Sequence, residues 1–466
     1  MLNLKQPNRF NAKKIAYHGL AIGGISLLVA CGGNSSSNKN TTIPDQELTP
    51  PAQVNNCFWG DPYSIANPAS NFAYPDTGAT YWHAKYILPE GANLKLTGQY
   101  PYARYMSFNS YRNDATPAFA LMDQDIAADT GSINPFTAGA ERNNENRDYQ
   151  IQLQAGEAPQ SPLDNTLYDY AQTDDQSIGQ TTLLYRVYVP NTGQDITGGT
   201  DLPQAELTLN NGEVLTGQAA CDSLQSDQTM VSIPFIPADT YANLRQNSSA
   251  NANPIWRAAY NVQFNLRCVF LGMCAGEPER QVGWYANLDN QYLSTNLDRS
   301  IKPIAVIRGK IPNVPATLAG NETFDESQAQ LRYWSLCQNE YYSQKVTGCL
   351  HDEQVTINPD GYFTIVTSLE SERPSNATDA CGIGYLPWSA KGDGFSIIPD
   401  RLNHENDALL ILRNMLPVNG FAKTAQNTTT PGDESAVLAE FMPTVQYFTQ
   451  AEFEALGCDA YTSMPQ

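Results

Sequence analysis

Apolar and polar residues alternate in short runs along most of this chain. Asn93-Leu94-Lys95-Leu96-Thr97 and Tyr149-Gln150-Ile151-Gln152-Leu153 switch every residue, the period of a strand with one buried face. Leu183 to Val189 and Tyr362 to Val366 are β-branched and aromatic runs of strand length. Turn chemistry separates them, as in Asn191-Thr192-Gly193 and Asn358-Pro359-Asp360-Gly361. Helical periodicity is sparse. Thr449-Gln450-Ala451-Glu452 reads as a capping box that opens one short helix, with Gly457 to close it. A second helix is expected after Asp239. The pattern predicts an all-β protein built of sandwiches.

The strand pattern is written twice. Tyr81 has a counterpart in Tyr292, and Gly98-Gln99-Tyr100-Pro101 in Gly309-Lys310-Ile311-Pro312, at one common separation. Arg104-Tyr105-Met106-Ser107-Phe108 matches Arg332-Tyr333-Trp334-Ser335-Leu336. Leu121-Met122-Asp123-Gln124-Asp125-Ile126 matches Leu350-His351-Asp352-Glu353-Gln354-Val355. Leu184 to Pro190 matches Ile411 to Pro417. These last three share a slightly larger separation. The change in separation predicts an insertion near Val314–Gln330 in the second copy, and one near Ser132–Asn146 in the first. The expected organisation is a leader over 1–30, a tether over 31–56, a first β-sandwich over 57–215, a connecting segment over 216–279 and a second β-sandwich over 280–466. Both sandwiches are expected to be jelly-roll-like and related by internal duplication.

The N-terminus breaks the strand pattern. Lys5, Arg9, Lys13 and Lys14 precede the apolar run Leu20 to Ala30. A basic segment followed by about eleven apolar residues is a secretory leader, too short to favour a membrane span. It ends in Leu28-Val29-Ala30-Cys31, which resembles a bacterial lipobox and makes Cys31 the expected lipidation site. The polar stretch after it reads as a flexible tether. Gly32 following the cysteine resembles the sorting pattern of outer-membrane lipoproteins. The expected location is the cell outer membrane, lipid-anchored, with the body in the periplasm or at the cell surface.

The second-copy run Arg332 to Leu336, with Gly361-Tyr362-Phe363-Thr364-Ile365, Leu386-Pro387-Trp388, and Leu412-Arg413 before Pro417, resembles a bacterial domain of unknown function found in exported proteins. That resemblance implies jelly-roll sandwiches in tandem. It carries no catalytic residues over, and the long insert between Trp388 and Leu409 departs from the pattern.

Export changes the reading of the cysteines. Beyond Cys31 there are eight, an even number that in an exported chain points to disulfides. The pairing taken is Cys57–Cys221, Cys268–Cys274, Cys337–Cys349 and Cys381–Cys458, one of 105 arrangements. No C-x-x-C pair is present for zinc or thiol exchange.

The charge is strongly negative, −21 at pH 7, and more so once the basic leader is set aside. A nucleic-acid partner is disfavoured, since phosphate chains need a basic face. No Walker loop or G-x-G-x-x-G is present, so no nucleotide is expected, and no cofactor. Calcium at Asp123, Asp125 and Asp129 is the one metal reading considered, on a spacing that is not an EF-hand.

Candidate chemistry is thin. After the leader the histidines are His83, His351 and His404, with no metal-binding spacing. Asp123 and Asp125, mirrored by Asp352, form a candidate acidic site of the kind glycoside chemistry uses. Residues shared by both copies, Arg104/Arg332, Tyr105/Tyr333, Ser107/Ser335 and Arg186/Arg413, are expected to serve the fold. Residues special to one copy are better ligand candidates, and Tyr81, Trp82, His83 and Lys85 stand out as an aromatic platform. Two readings stay open: a ligand-binding or surface-assembly module with a glycan, lipid or protein partner, and an extracytoplasmic hydrolase or lyase acting on glycans or lipids.

Overall fold

The computed structural model describes residues 57–63, 65, 69–112, 115–169, 179–231, 254–259, 285–320, 328–394 and 404–460. The first half contains β1 (Ala79–Tyr86), β2 (Asn93–Gln99), β3 (Ala103–Tyr111), β4 (Pro117–Met122), β5 (Asp148–Ala155), β6 (Thr166–Asp169), β7 (Thr181–Pro190), β8 (Gln204–Thr208), β9 (Val214–Thr216) and the helix α1 (Gly217–Ser223). After β10 (Arg257–Ala258) the second half contains β11 (Asn290–Asp298), β12 (Ile304–Lys310), β13 (Leu331–Asn339), β14 (Val346–His351), β15 (Tyr362–Ser368), β16 (Gly384–Pro387), β17 (Asp407–Pro417) and β18 (Thr444–Phe448). Short helices α2 (Glu434–Leu438) and α3 (Gln450–Glu454) complete it. The fold is all-β.

Four sheets result, in the orders β1-β7-β3-β4 and β6-β5-β2-β8-β9, then β10-β11-β17-β13-β14 and β16-β15-β12-β18. Apart from the edge strands β9 and β10, the second half repeats the first strand for strand. Register repeats as well. Tyr81 lies opposite Arg186 as Tyr292 lies opposite Arg413, and Ser107 faces Arg186 as Ser335 faces Arg413. Each half has one parallel pair, β5 with β6 and β15 with β16. Each follows its fourth strand with a single 3-10 turn, Asp123–Asp125 and Asp352–Gln354. The duplication inferred from short motifs therefore extends to topology.

Within each half the two sheets share one core. Trp82, Phe108 and Tyr185 of one sheet pack with Leu96, Ile151 and Leu207 of the other. Leu293, Trp334 and Leu412 pack likewise with Ile307, Phe363 and Ile365. Strand β5 keeps the strict alternation its sequence predicts, whereas β3 and β13 are buried at every position. A strand covered on both faces has no polar side to show. One face of β3 enters the sandwich core; the other, through Tyr105, Asn109 and Tyr111, meets the second half.

Among the described residues three disulfides close the body: Cys57–Cys221, Cys337–Cys349 and Cys381–Cys458. The expected pair Cys268–Cys274 and the helix expected after Asp239 lie outside the described residues. Cys57–Cys221 ties α1 to the chain ahead of β1, and Ala220, Cys221 and Leu224 enter the first core. The start of the segment expected as a connector thus packs as part of the first sandwich. The capping box of α3 forms as its sequence predicts, with Thr449 accepting from the Glu452 backbone N–H and Glu452 from that of Thr449.

Cys57–Cys221 spans 164 positions, and a cross-link over so long a loop removes much unfolded-state entropy. The double variant Cys57→Ala with Cys221→Ala is expected to lose about 2–5 kcal/mol of unfolding free energy. Guanidinium titration of the oxidised proteins checks this, and an unchanged midpoint would show that the cross-link constrains nothing.

Candidate functional site

The acidic residues singled out in the sequence lie where the halves meet. Arg104 is fully buried and donates to Asp352 of the second half at 2.6 Å and to Glu353 beside it. The other oxygen of Asp352 accepts the Trp334 N–H at 3.0 Å. The mirror arrangement is present: Arg332 lies 3.2 Å from Asp123 of the first half, and Asp123 accepts the Met106 N–H at 2.9 Å. Each half therefore holds a carboxylate on its own third strand and presents it to the other half's arginine. Asp125, next along the same turn, is exposed.

The mirror is electrostatically unequal. Burial pushes the Asp123 carboxyl up to about 7 despite Arg332. Asp352 is equally buried, yet Arg104 overcomes the desolvation and holds it below the usual carboxylate range. Arg104 brings the shorter contact and is fixed further by Thr317, which accepts from its Nε at 2.8 Å. Thr317 belongs to the insertion expected in the second copy. Arg142, from the insertion expected in the first, donates to the Thr317 carbonyl at 3.4 Å. The two insertions thus touch at the junction.

A second reciprocal contact comes from the segments ahead of β1 and β11. Arg413 donates to the Tyr74 carbonyl at 2.6 Å, and Arg186 to the Tyr285 carbonyl at 2.7 Å. The Tyr74 N–H bonds to Gln344, and the Tyr285 N–H to Ala115, both at 2.8 Å. Asp76 accepts from Ser335 at 2.6 Å, while Tyr105 donates to Asp289 at 2.5 Å. Each half's leading segment thus lies on the other half. Asp76, Cys337 and Cys349 cluster with potential ligand atoms within 4.8 Å of one another. The two sulfurs are bonded to each other, and Arg413 sits 2.7 Å from Cys337 Sγ. That donor set suits an arginine and not a metal cation.

The four platform candidates on β1 are divided by strand alternation. Trp82 points into the first core, 1% exposed, against Tyr185 at 5.7 Å between ring centroids. Tyr81, on the opposite face, accepts the Asp76 N–H at 3.0 Å. His83 is fully buried, with Nε2 3.0 Å from the Thr229 carbonyl, and burial lowers its pKa. The backbone of Gly60 lies on the imidazole so closely that a Cβ there would sit 2.2 Å from Cε1. Lys85 is bound by Asp227 at 2.6 Å. The four do not gather into one open site.

An open concavity does occur, at an end of the first sandwich that sequence reasoning passed over. A cavity of about 210 Å³ lies between the edge strands β4 and β6, lined by Arg112, Ala118, Phe119, Gly156, Glu157 and Tyr168. Phe119 and Tyr168 meet edge-on with centroids 5.3 Å apart. Arg112 is steadied by the Pro117 carbonyl at 2.5 Å. Tyr168 is fixed at both ends: its carbonyl accepts from Ser110 at 2.6 Å, and its hydroxyl accepts the Leu163 N–H at 3.0 Å.

The corresponding place in the second half is filled. Both third strands carry a bulge at the same position, which makes Glu340 the counterpart of Arg112, Thr347 of Ala118, and Gly348 of Phe119. Glu340 is buried and takes hydrogen bonds from Ser343 and Ser389. Thr347 donates to the Pro387 carbonyl at 2.7 Å, and Pro387 packs so near Gly348 that a Cβ there would be 3.3 Å from its Cδ. The one-copy-only criterion applied to β1 would have found Arg112 had it been extended to the end of β3.

No family model matches the chain, and no curated protein matches it. Among solved structures it is similar to an uncharacterised protein from Burkholderia cenocepacia at 11% identity and a TM-score of 0.43, over 85% of this chain and 83% of that one. It is also similar to a protein from Vibrio parahaemolyticus at 11% identity and a TM-score of 0.36, over 81% and 90%. These neighbours are uncharacterised proteins with a β-rich fold.

The unequal junction has a pH signature. Asp123 binds its proton more tightly in the folded state than at its unfolded pKa near 3.9. Its contribution is full below about pH 4 and is lost as pH rises through 7. Asp352, held low, contributes above about pH 4 and loses that contribution as pH falls through its depressed value. Asp352→Asn is expected to cost about 3–5 kcal/mol at pH 7, as removal of one partner of a buried pair does. Asp123→Asn is expected to cost less, and its cost shrinks further as pH rises from 5 to 8. Urea titrations across that range decide; equal, pH-independent losses would refute the asymmetry.

Proposed function

We propose that this chain is a lipid-anchored, extracytoplasmic binding module, held at the outer membrane through Cys31, with its ligand site in the first sandwich. The observation that carries the binding reading is the cavity bounded by Arg112, Phe119, Glu157 and Tyr168, kept open in one copy of the repeat and filled in the other. A lipobox at the end of an apolar leader supports the anchor, and three disulfides suit an oxidising compartment. Among the described residues no helix is long and apolar enough to cross a membrane. A hydrolase or lyase acting on glycans or lipids has less support, since His83, Asp123 and Asp352 are buried and engaged in packing contacts.

Two measurements test the halves of this reading separately. In a bacterial host the full chain is expected to incorporate labelled palmitate and to sediment with outer membranes. Cys31→Ser should lose the label and the membrane association; palmitate uptake by that variant would end the lipoprotein assignment. For binding, the oxidised chain is screened by thermal shift against glycans, lipids, peptides, amino acids and divalent metals. A ligand at about 100 times its Kd adds roughly 2.7 kcal/mol, so a raised midpoint is expected with one class. No shift with any class would remove the small-ligand reading.

A further inference from the structure

We infer that Cys337–Cys349 is a redox-sensitive latch on the junction: intact, it holds the leading segment 74–77 against the second half, and a dithiol that reduces it releases that segment. The bond joins residues directly opposite each other on β13 and β14. The ladder between those strands fixes this register by itself, from Ser335 opposite His351 to Asn339 opposite Val346. The two cysteines are 12 positions apart, against 164 and 77 for the other described pairs, so this bond constrains the unfolded chain least. The fold does not require it. In the first half the same register places Asn109 opposite Ala120, a pair that cannot be cross-linked.

What the bond touches belongs to the other half. The Thr77 N–H donates to Cys349 Sγ at 3.3 Å, and the Thr77 hydroxyl accepts the Cys349 N–H at 3.1 Å. Arg413 donates to Cys337 Sγ at 2.7 Å and to the Tyr74 carbonyl at 2.6 Å. One guanidinium thus grips the disulfide and the segment together. The Asp76 carboxylate lies 3.7 Å from Arg413 and within 4.8 Å of both sulfurs. The mirror contact in the first half has no sulfur. Leu288, which stands to Tyr292 as Thr77 does to Tyr81, donates its N–H to Asn109 Oδ1 at 3.3 Å. A permanent amide receives one leading segment; a bond that can be broken receives the other.

Reduction changes this contact in size and in charge. A thiolate of the dithiol attacks Sγ of Cys349, 8% exposed against 0% for Cys337. The bond between the two cysteines breaks, and Cys337 leaves as a thiolate facing Arg413, whose positive charge favours that leaving group. The dithiol's second thiolate then displaces Cys349 from the mixed disulfide and closes the reductant's own disulfide. Two electrons pass to the protein, and the dithiol's two protons end on the cysteine sulfurs. The freed sulfurs move apart to van der Waals distance in a space already packed, which strains the contact. As a thiolate, either sulfur also repels the Asp76 carboxylate and competes with Tyr74 for Arg413. Strands β13 and β14 are held by their ladder, so the segment gives way. Asn71 bonds to both the N–H and the carbonyl of Val346, which keeps the release local. The segment lies over the bond, so a reductant reaches it when the segment lifts. By linkage the docked segment protects the disulfide as the disulfide holds the segment.

The test is reduction of the full, folded chain with dithiothreitol, followed by iodoacetamide alkylation, peptide mass spectrometry and hydrogen exchange. Cys337 and Cys349 are expected to become alkylated while the chain stays folded. Exchange at 74–78 should then quicken about tenfold or more, as an overpacked contact predicts, with β12 and β17 still protected. Cys458 is exposed, so Cys381–Cys458 is expected to open in the same reductant. The comparison is therefore made with Cys337→Asn plus Cys349→Ala, which installs the first half's pair. In that variant, exchange at 74–78 should not respond to dithiothreitol. Three results overturn the inference: both cysteines stay unalkylated until urea unfolds the chain, they are alkylated and 74–78 still exchanges at the oxidised rate, or the double variant responds to dithiothreitol as the parent chain does. The first two need no substitution, so they decide the matter even where the double variant does not fold.

Discussion

Two buried arginines and the carboxylates they reach across the junction set the terms for the rest of this molecule. Arg104 and Arg332 are both essentially inaccessible to solvent, and so are Asp352 and Asp123. A buried charge without its partner costs several kcal/mol, and here Arg104 and Asp352, like Arg332 and Asp123, sit in opposite halves. A half folded alone would expose these groups to water or bury them unpaired. The leading segments deepen the dependence, because Tyr74 and Asp76 satisfy groups on β13 and β17 while Tyr285 and Asp289 satisfy groups on β3 and β7. Two sandwiches with separate main cores thus become one structural unit through these polar contacts and a small shared cluster of Tyr105, Tyr188, Val189, Tyr333 and Met415. Arg104, Tyr105, Arg186, Ser335 and Arg413 on β3, β7, β13 and β17 belong to that requirement and not to a solvated face.

This requirement explains why the duplication could be read from five short motifs. The residues that matched, Arg104 with Arg332, Tyr105 with Tyr333, and Asp123 with Asp352, are those that must face the other half and be faced in return. Sequence kept the reciprocity because geometry demands it twice. The alternating strands and the capping box at Thr449 were legible for a local reason, since their signals lie within a few residues. The β1 platform failed on strand geometry: Trp82 and His83 are neighbours in sequence and therefore lie on opposite faces. The cavity was not legible because its lining comes from β3, β4, β6 and the loop after β5. Only the pairing of sheets brings Arg112 near Glu157.

The junction also shows how an electrostatic signature can mislead a search for chemistry. A carboxyl with its pKa near 7, beside an arginine, is what a general acid looks like. Asp123 earns that value by burial against a protein partner, with no route for a substrate to reach it. His83 repeats the lesson: its downward shift follows from burial beneath Gly60, against the opposing hydrogen bond to the Thr229 carbonyl. Perturbed titration marks a functional site only where the group also borders open space, and these two do not.

What duplication contributes is a comparison within one molecule. The same strands, bulge and register place Arg112 in one half and Glu340 in the other. The strand register is therefore the same up to the two positions, while the loop that each one opens differs by one residue. If the gap between the edge strands were only a packing defect, either closure would serve, and a large apolar residue would close both. Instead the second half closes with Pro387 and a serine-bound glutamate, while the first keeps an arginine beside two rings held at fixed distance. Leaving a concavity forfeits the burial its lining would otherwise gain, at roughly 25 cal/mol per Å² of apolar surface. A body already stapled by disulfides and locked across its junction can bear that loss in one half, provided the other carries the packing. The division of labour follows: the second sandwich braces the first, and the first stays open where Arg112 and Phe119 stand in place of Glu340 and Gly348.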